Sequence, residues 1–454
     1  MKSRYNPNLY DKITLGAGML LRLIYVSFST IYDRQHDIGM IKLSAGHPVT
    51  GGHLGYIQYI YENLRIPDVD PTGVYQFHHP PLHHFISALW MHLVSLFTNR
   101  YDVIEESMQV VPFVCSLITL VVIYFLLREL EIPSFPRSFV MLFMSVQPGL
   151  IILSGSVNND CMGLMFTVLI IYYTVLWSKN PSLKNILLLA IFMGAGISTK
   201  QNVAQMAFPV ALVFIYKFFK SEGEDELQTK NLIGEYLLFG VVSIPLGMWF
   251  YIRNLIKFNT SLLWVYELPE DSWQYTGNVP LVNRFLWPNV SEMIDNVKHF
   301  RIGCGYNVWM QIMRTSVLGE WDMADAPRIV KIIAVILMLS GAFLGVVSLI
   351  CFVRALILKR TTESLKVNTE SKILLVSGYV ITMMLYFIFV YRYPQQCSMD
   401  FRYITVVLVF LMIGFALDLS EIKNEIIKYI FKLSLGAYVV ASLLMLSVWC
   451  FTMN

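Results

Sequence analysis

Residues suited to acid–base chemistry are concentrated in one stretch of an otherwise apolar chain. Seven of the nine histidines lie between residues 36 and 84, together with Asp37 and the run His79-Pro80-Pro81-Leu82. A carboxylate can take a proton from an acceptor hydroxyl and so make its oxygen more nucleophilic. Histidine side chains change charge near neutral pH and donate hydrogen bonds to anions. An acid at the start of this stretch and histidines at its end therefore indicate an enzyme site rather than a pore.

A second acidic candidate is Asp160, which follows Asn158-Asn159 at the start of an apolar segment. A carboxylate at this place predicts a helix N-terminus, where negative charge is stabilised. Such a residue can also orient an acceptor, so we predict a catalytic role for Asp160 beside Asp37. Glu320 ends a long polar segment and is an acidic candidate for contacting a substrate.

Four basic or imidazole side chains, His78, His79, Lys200 and Arg402, are candidates for binding an anionic substrate. A phosphate leaving group needs hydrogen-bond donors at the place where negative charge develops. Lys200 stands between two apolar segments, where a charge is costly unless it faces a wet cavity or a partner. The charge of His79 depends on pH, which makes it a weaker phosphate ligand than a lysine.

The elements that must position these residues are helices in a membrane. The 454 residues are 56% hydrophobic and 14% charged, whereas soluble domains carry about 25% charged residues. We predict an all-α polytopic membrane protein with about eleven spans, each needing about 20 apolar residues. The net charge of +3 gives no indication of nucleic-acid binding. The candidate spans are 13–32, 109–127, 138–154, 161–177, 185–199, 203–216, 232–251, 330–353, 373–391, 403–419 and 429–453.

Short connections rich in Lys and Arg are expected on the cytoplasmic side. This places the N-terminus in the cytoplasm and the long loops 33–108 and 253–326 outside. We therefore expect an N-terminal catalytic module at 1–252, an external aromatic-rich loop at 253–326 and C-terminal spans at 327–454. Residues 55–61 and 82–97 are predicted to be amphipathic helices in the membrane interface. The second loop holds five of the nine Trp residues, which indicates either an interfacial belt or a platform for sugar or lipid.

Four of these motifs together resemble the GT-C class of membrane glycosyltransferases. The similarity is to the dolichyl-phosphate-mannose protein mannosyltransferase-like family 39 and its bacterial relatives. It rests on Asp37 after the first span, His79-Pro80-Pro81-Leu82, Asn159-Asp160, and the segment 194–200 that ends in Lys200; an Arg402-Tyr403 pair late in the chain fits as well. The resemblance implies a GT-C-like bundle that transfers a sugar, with inversion, from a polyprenyl-phosphate carrier to an acceptor hydroxyl.

Several features of this function remain open at the sequence level. The acceptor is a glycan, a lipid or a protein, and the setting that the resemblance implies is a plasma membrane with the site outside and undecaprenyl phosphate as carrier. A divalent metal held by two acids or by the histidines around Pro80-Pro81 is an alternative, but family members are generally regarded as metal-independent, so we expect no metal or other cofactor. The competing functions are a transporter or flippase of lipid-linked sugars and a non-catalytic scaffold.

Overall fold

The computed structural model describes residues 8–32, 51–221, 226–262, 264–286, 305–321, 323, 325–358 and 367–451, with the side chains of 226–229 excluded. Helices dominate these residues, and no strand was found within the described ranges. The helices are α1 Leu9–Phe28, α2 Gly52–Asn63, α3 Leu82–Ser95, α4 Tyr101–Glu129, α5 Ser134–Val146, α6 Pro148–Leu153, α7 Asp160–Lys179, α8 Leu183–Ile197, α9 Gln201–Ser221, α10 Glu226–Phe258, α11 Leu281–Phe285, α12 Val308–Leu318, α13 Arg328–Phe352, α14 Thr369–Arg392, α15 Val407–Glu421 and α16 Glu425–Phe451.

The all-α polytopic membrane architecture is confirmed, but the count of eleven spans is not. Within the described ranges, seven helices are long and apolar enough to cross a membrane, or nine if two bent pairs each form one span. The remaining two candidates are helices that fall short for different reasons. The helix Leu183–Ile197 has only 15 residues. The helix Leu9–Phe28 carries Asp11, Lys12 and Arg22, and Asp11 is buried against Arg137 with an N–O distance of 2.7 Å.

One bent span is stabilised by a guanidinium from the first helix. The axes of α5 and α6 meet at 50°, and Pro148 at the start of α6 has no N–H to donate to the carbonyl of Met144. Arg22 donates to that carbonyl at 3.2 Å and to the carbonyl of Ser145 at 3.0 Å. Gly18 allows this approach, since a Cβ there would lie 2.4 Å from the Ser145 hydroxyl. The backbone carbonyls at this bend thus receive hydrogen bonds from Arg22 in α1.

The first long loop contains a small helical core of its own. Buried side chains from α2, α3 and the start of α4 pack together, and Ile31 after α1 and Val157 before α7 join the same cluster. The end of α1 is fixed to this core, because Gln109 donates to the carbonyl of Ser29 at 3.1 Å. The chain that leaves α1 therefore starts beside the segment that leads into Asp160.

The two helices predicted for this loop both form, but only one has the surface of an interfacial helix. Helix α3 exposes an apolar side that includes Phe85, Leu89 and Leu93. In α2, by contrast, residues 52–57 are all buried. The prediction that α2 lies in the membrane interface is wrong, because α3 and the core beneath it cover its apolar surface.

The tryptophans of the second loop do not form one platform among the described residues. Trp264 contacts the first loop, and Trp309 Nε1 donates to the carbonyl of Phe285 at 2.8 Å. Trp321 is buried in the bundle and stacks on Trp449, with ring centroids 5.9 Å apart. Trp273 is exposed. Trp287 lies outside the described residues.

Candidate active site

The site is built around the carboxylate of Asp160, which two cations contact. Asp160 Oδ1 accepts a hydrogen bond from Lys200 Nζ, and Arg402 Nη1 lies 3.5 Å from Oδ2. All three side chains are buried, each with a relative exposure of 6%. Buried charges are stable only when they are paired and hydrogen-bonded, so these residues depend on one another for their positions.

Local backbone structure places each of the three side chains. Asp160 is the first residue of α7, as the sequence predicts, and its N–H donates to the Asn158 side chain at 2.9 Å. Lys200 lies in the turn after α8, and Asn159 holds this turn by donating to the carbonyl of Thr199 at 3.1 Å. Arg402 lies in a short 3₁₀ helix that Asp400 caps by accepting its backbone N–H at 2.8 Å.

Tyr403 forms the wall beneath the two cations. Lys200 Nζ lies 5.2 Å from the centre of its ring, and Arg402 Cζ lies 5.0 Å from it. The phenol oxygen also accepts a hydrogen bond from Arg402 Nη2 at 3.1 Å. Aromatic faces attract cations, so Tyr403 favours the placement of both charges at Asp160. A small cavity lies between α7, the start of α9 and residues 402–406. It is lined by Asp160, Gly163, Leu164, Thr167, Asn202, Gln205, Arg402, Tyr403, Thr405 and Val406.

Four histidines of the first loop belong to a continuous row of seven aromatic rings, which we call the ring column; its contacts range from nearly parallel to edge-on. Successive ring centroids are 4.5, 4.3, 5.2, 5.3, 4.1 and 5.3 Å apart. In spatial order, the ring column consists of Phe77, Tyr56, His84, His53, His79, His78 and Trp264. His53 Nδ1 and His84 Nε2 are 2.9 Å apart, within hydrogen-bonding distance. The column connects both long loops.

Burial keeps the inner histidines neutral. It is the main cause that lowers the pKa of His53, His79 and His84 well below 6.5, with further lowering by neighbouring imidazoles. Lys200 also lowers the pKa of His53 and His79, which shows that the column lies within electrostatic range of the cations. Burial lowers the pKa of His83 to about 4, against an opposing effect of Asp160. At pH 7, His79 is therefore a neutral hydrogen-bonding group rather than a cation.

The column and the charged cluster are joined through the backbone. The N–H of Leu82, at the end of the His-Pro-Pro-Leu run, donates to the carbonyl of Ser198 at 3.0 Å, two residues before Lys200. Three motifs that the sequence singles out separately are thus brought together at one end of the bundle. The sequence gives no direct indication of His53, although it lies among the clustered histidines.

Asp37 and Glu320 are the two further site residues that the sequence predicts. Asp37 lies outside the described residues, although the chain that leads to it leaves α1 beside the segment preceding Asp160. Glu320 follows α12, a helix that contacts the Arg402 segment because Thr315 Oγ1 accepts the N–H of Phe401 at 2.8 Å. The roles of both residues remain predictions.

No group of three or more His, Cys, Asp or Glu side chains within the described ranges is arranged to hold a metal ion. Of the histidines around Pro80-Pro81, His79 lies before α3 and His83 lies within it, because α3 begins only at Leu82, so the two do not share a helix face. The expectation of a metal-independent site remains a prediction.

The arrangement suits the binding of an anion more than proton abstraction by Asp160. A carboxylate bound by two cations remains ionised with its lone pairs engaged, so it is a poor acceptor for a hydroxyl proton. Lys200 and Arg402 are both held by this single carboxylate. Either cation can turn to an incoming phosphate without leaving Asp160 unpaired.

Comparison with known proteins finds a family match for a segment that contains part of the candidate site. Residues 78–249 match the family described as dolichyl-phosphate-mannose-protein mannosyltransferase. This segment contains His78, His79, Asp160 and Lys200 and ends before Glu320 and Arg402. No curated protein matches the chain.

Solved structures give distant matches. The S. cerevisiae protein O-mannosyltransferase Pmt1-Pmt2 complex bound to the sugar donor is 13% identical, with a TM-score of 0.42, over 60% of this chain and 36% of that chain. The Archaeoglobus fulgidus oligosaccharyltransferase AglB in complex with an inhibitory peptide and a dolichol-phosphate is 13% identical, with a TM-score of 0.48, over 98% of this chain and 56% of that chain. The chain therefore spans less than two thirds of either structure. Over residues 78–249 the chain matches the dolichyl-phosphate-mannose-protein mannosyltransferase family, and the resemblance seen in its motifs is confirmed.

Proposed function

We propose that the protein is an inverting membrane glycosyltransferase that moves a sugar from a polyprenyl-phosphate carrier to an acceptor hydroxyl. The observation that carries the proposal is the buried Asp160 carboxylate bound by both Lys200 and Arg402. Two cations at one buried place suit a phosphate leaving group, whose negative charge grows as the glycosidic bond breaks. Two members of this cluster, Asp160 and Lys200, fall within the family match.

In the proposed step, the acceptor oxygen attacks the anomeric carbon from the side opposite the phosphate. The bond between this carbon and the phosphate oxygen breaks, and its electron pair passes to the phosphate. The acceptor proton passes to the carboxylate of Asp37, which acts as general base. Attack from the opposite side inverts the configuration of the sugar.

The site residues have distinct roles in this mechanism. One of the two cations, Lys200 or Arg402, turns from Asp160 to the phosphate as its charge develops, and the other stays paired with the carboxylate. The Asp160 oxygen that this releases accepts a hydrogen bond from a neighbouring group of the acceptor, so Asp160 orients the acceptor while Asp37 takes the proton of the attacking hydroxyl. His78 and His79 contribute hydrogen-bonding groups on the donor side, and His79 does so as a neutral imidazole.

We further propose undecaprenyl phosphate as the carrier and the outer face of a plasma membrane as the location. The distribution of Lys and Arg along the chain supports this orientation, with the N-terminus in the cytoplasm. The acceptor is a glycan, lipid or protein hydroxyl. No metal takes part in the proposed mechanism.

The test is release of polyprenyl phosphate from a panel of polyprenyl-phosphate sugars by purified protein in nanodiscs. We expect Asp37→Asn to lower the rate by roughly 100-fold or more while the protein stays folded, since general-base catalysis contributes about that factor. Asp70→Asn is the matched control. Asp70 is exposed in the same loop and accepts the backbone N–H of Thr72, so we expect this variant to retain the wild-type rate. Absence of release with every donor and acceptor class, from folded protein, would contradict the proposal.

A further inference from the structure

The ring column connects three separate parts of the chain. His53 and Tyr56 come from α2, four rings come from residues 77–84, and Trp264 comes from the second long loop. A contact between Tyr75 and Tyr266, with ring centroids 5.2 Å apart, joins the same two loops beside the column. The column is therefore one of the contacts that fix the second loop beside the candidate site.

His53 is the central ring of this column. It lies edge to edge with His84 and nearly coplanar with it, with ring centroids 5.2 Å apart and an interplanar angle of 11°; on its other side it is nearly parallel to His79, at 5.3 Å and 14°. Its Nδ1 also lies 2.9 Å from His84 Nε2, so one of these nitrogens carries a hydrogen and the other accepts it. This hydrogen bond exists only if the two imidazoles share at most one added proton. The geometry thus excludes an added proton on both rings at once.

The charged groups around His53 oppose its protonation. Among the described residues, Lys200 and Arg402 act on it from the turn after α8 and from the segment before α15, and His83 and His84 act from α3. Asp160 is the carboxylate that acts on this group of histidines, and its effect is on His83. An added proton at the centre of the column therefore faces cations and other imidazoles.

We propose that His53 is a positioning residue that holds His79 within range of Lys200, and holds Trp264 against His78, only while His53 and His84 do not both carry an added proton. At acid pH the column opens, and Trp264 moves away from His78. The inference rests on the proposed function in so far as His79 and Lys200 meet the donor phosphate there. The opening itself is a property of the folded chain and requires no donor.

Proton uptake supplies the free energy for this opening. An imidazole that reaches water has a pKa of about 6.5, so the open form binds protons that the closed column excludes. The closed form therefore loses stability as pH falls below about 6.5, and the midpoint of opening lies below that value. Because several histidines are released together, the transition is steeper than the titration of one group.

The test follows Trp264 in full-length protein in nanodiscs labelled with 5-fluorotryptophan. The Trp264→Phe variant identifies its ¹⁹F signal, which is then recorded from pH 8 to pH 5. In the wild-type protein we expect one reversible change below pH ~6.5. His53→Phe keeps a stacking ring that takes no proton, and we expect it to lower the midpoint by about half a pH unit or more. His92→Gln is the matched control: His92 lies in α3, the helix of His84, and contacts Tyr61 outside the column, so the midpoint stays at the wild-type value.

A Trp264 signal that stays constant from pH 8 to pH 5 would overturn the inference, and so would identical midpoints in wild type and His53→Phe. If His53→Phe does not fold, His84→Phe tests the same stack at the neighbouring ring. The measurement uses no sugar donor. A pH transition in a protein that transfers no sugar would therefore support this inference and contradict only the proposed function. Once a donor is known, the acid limb of kcat/KM should move with the same midpoint.

Discussion

Arg402 Nη1 lies 3.5 Å from Asp160 Oδ2, although 242 residues separate the two in sequence. This contact joins the segment before α15 to the first turn of α7. It also reaches beyond the residues that match the mannosyltransferase family, which end at 249. The late part of the chain therefore completes a cluster whose other members lie in the first half.

Removing the charge of Asp160 should destabilise the protein strongly. Asp160→Asn leaves Lys200 and Arg402 buried together without their shared carboxylate, and breaking a buried pair in this way costs about 3–5 kcal/mol. Lys200→Gln removes one cation but leaves Arg402 on Asp160, so we expect a smaller loss. Unfolding free energies measured by denaturant titration in detergent provide the comparison.

The double variant Asp160→Asn with Lys200→Gln checks the coupling between these two side chains. It should be more stable than the sum of the single changes predicts, because the second change removes a charge that the first left unpaired. Strict additivity would mean that the contact contributes nothing to stability.

Replacing the guanidinium of Arg402 should affect donor binding more than folding. Arg402→Lys keeps the charge but loses the planar donor set that bonds both Asp160 and Tyr403, and lysine does not reproduce such geometry. We expect KM for the lipid-linked donor to rise about tenfold, equivalent to about 1.4 kcal/mol. Arg392→Lys, at the exposed end of α14, is the control. A normal KM for Arg402→Lys would exclude Arg402 from phosphate binding.

Whether the sequence alone predicts a contact depends on how far apart its partners are along the chain. Patterns along the chain correctly place Asp160 at a helix start, because a carboxylate after two asparagines and before an apolar segment is a local signal. The ion pairs of Lys200 and Arg402 with Asp160, by contrast, depend on how α7, α8 and the segment before α15 pack together. Each cation taken alone suits a phosphate equally well.

The ring column was missed for a related reason. Periodicity indicates that α2 is amphipathic, and an amphipathic helix after a membrane span is typical of the interface. The same pattern also suits a helix buried beneath another one, which is the position of α2 under α3. Only that burial turns His53 from a surface histidine into the centre of a stack.

Acid should destabilise the folded protein over a defined range. For a histidine whose pKa is lowered on folding, the unfolded chain binds more protons, so stability is complete above about pH 6.5 and falls as the pH drops below it. For His83 the loss continues down to about pH 4. Each such histidine contributes a slope of up to about 1.4 kcal/mol per pH unit. Thermal unfolding between pH 8 and 4.5 measures this, and a Tm independent of pH would contradict the buried neutral state.

Arg22 should prove essential for stability rather than for catalysis. Arg22→Met leaves the carbonyls of Met144 and Ser145 without their donor, and each unsatisfied buried group costs about 1–3 kcal/mol. Arg128→Met, which removes a hydrogen bond to Tyr124 near the end of α4, should cost less than about 1 kcal/mol. Unfolding in mixed micelles compares the two variants. Equal losses would mean that the bend does not depend on Arg22.

The contact of Arg22 with the bend between α5 and α6 also constrains how the protein enters the membrane. A bent segment whose carbonyls at Met144 and Ser145 point into hydrocarbon is unstable alone, because lipid offers no hydrogen-bond donor. Equally, α1 alone would carry an unpaired guanidinium into the bilayer. Each element supplies what the other lacks, so the two must associate during insertion rather than after it. Arg22 and Pro148 thus determine when α1 and the bent α5–α6 segment associate during membrane insertion.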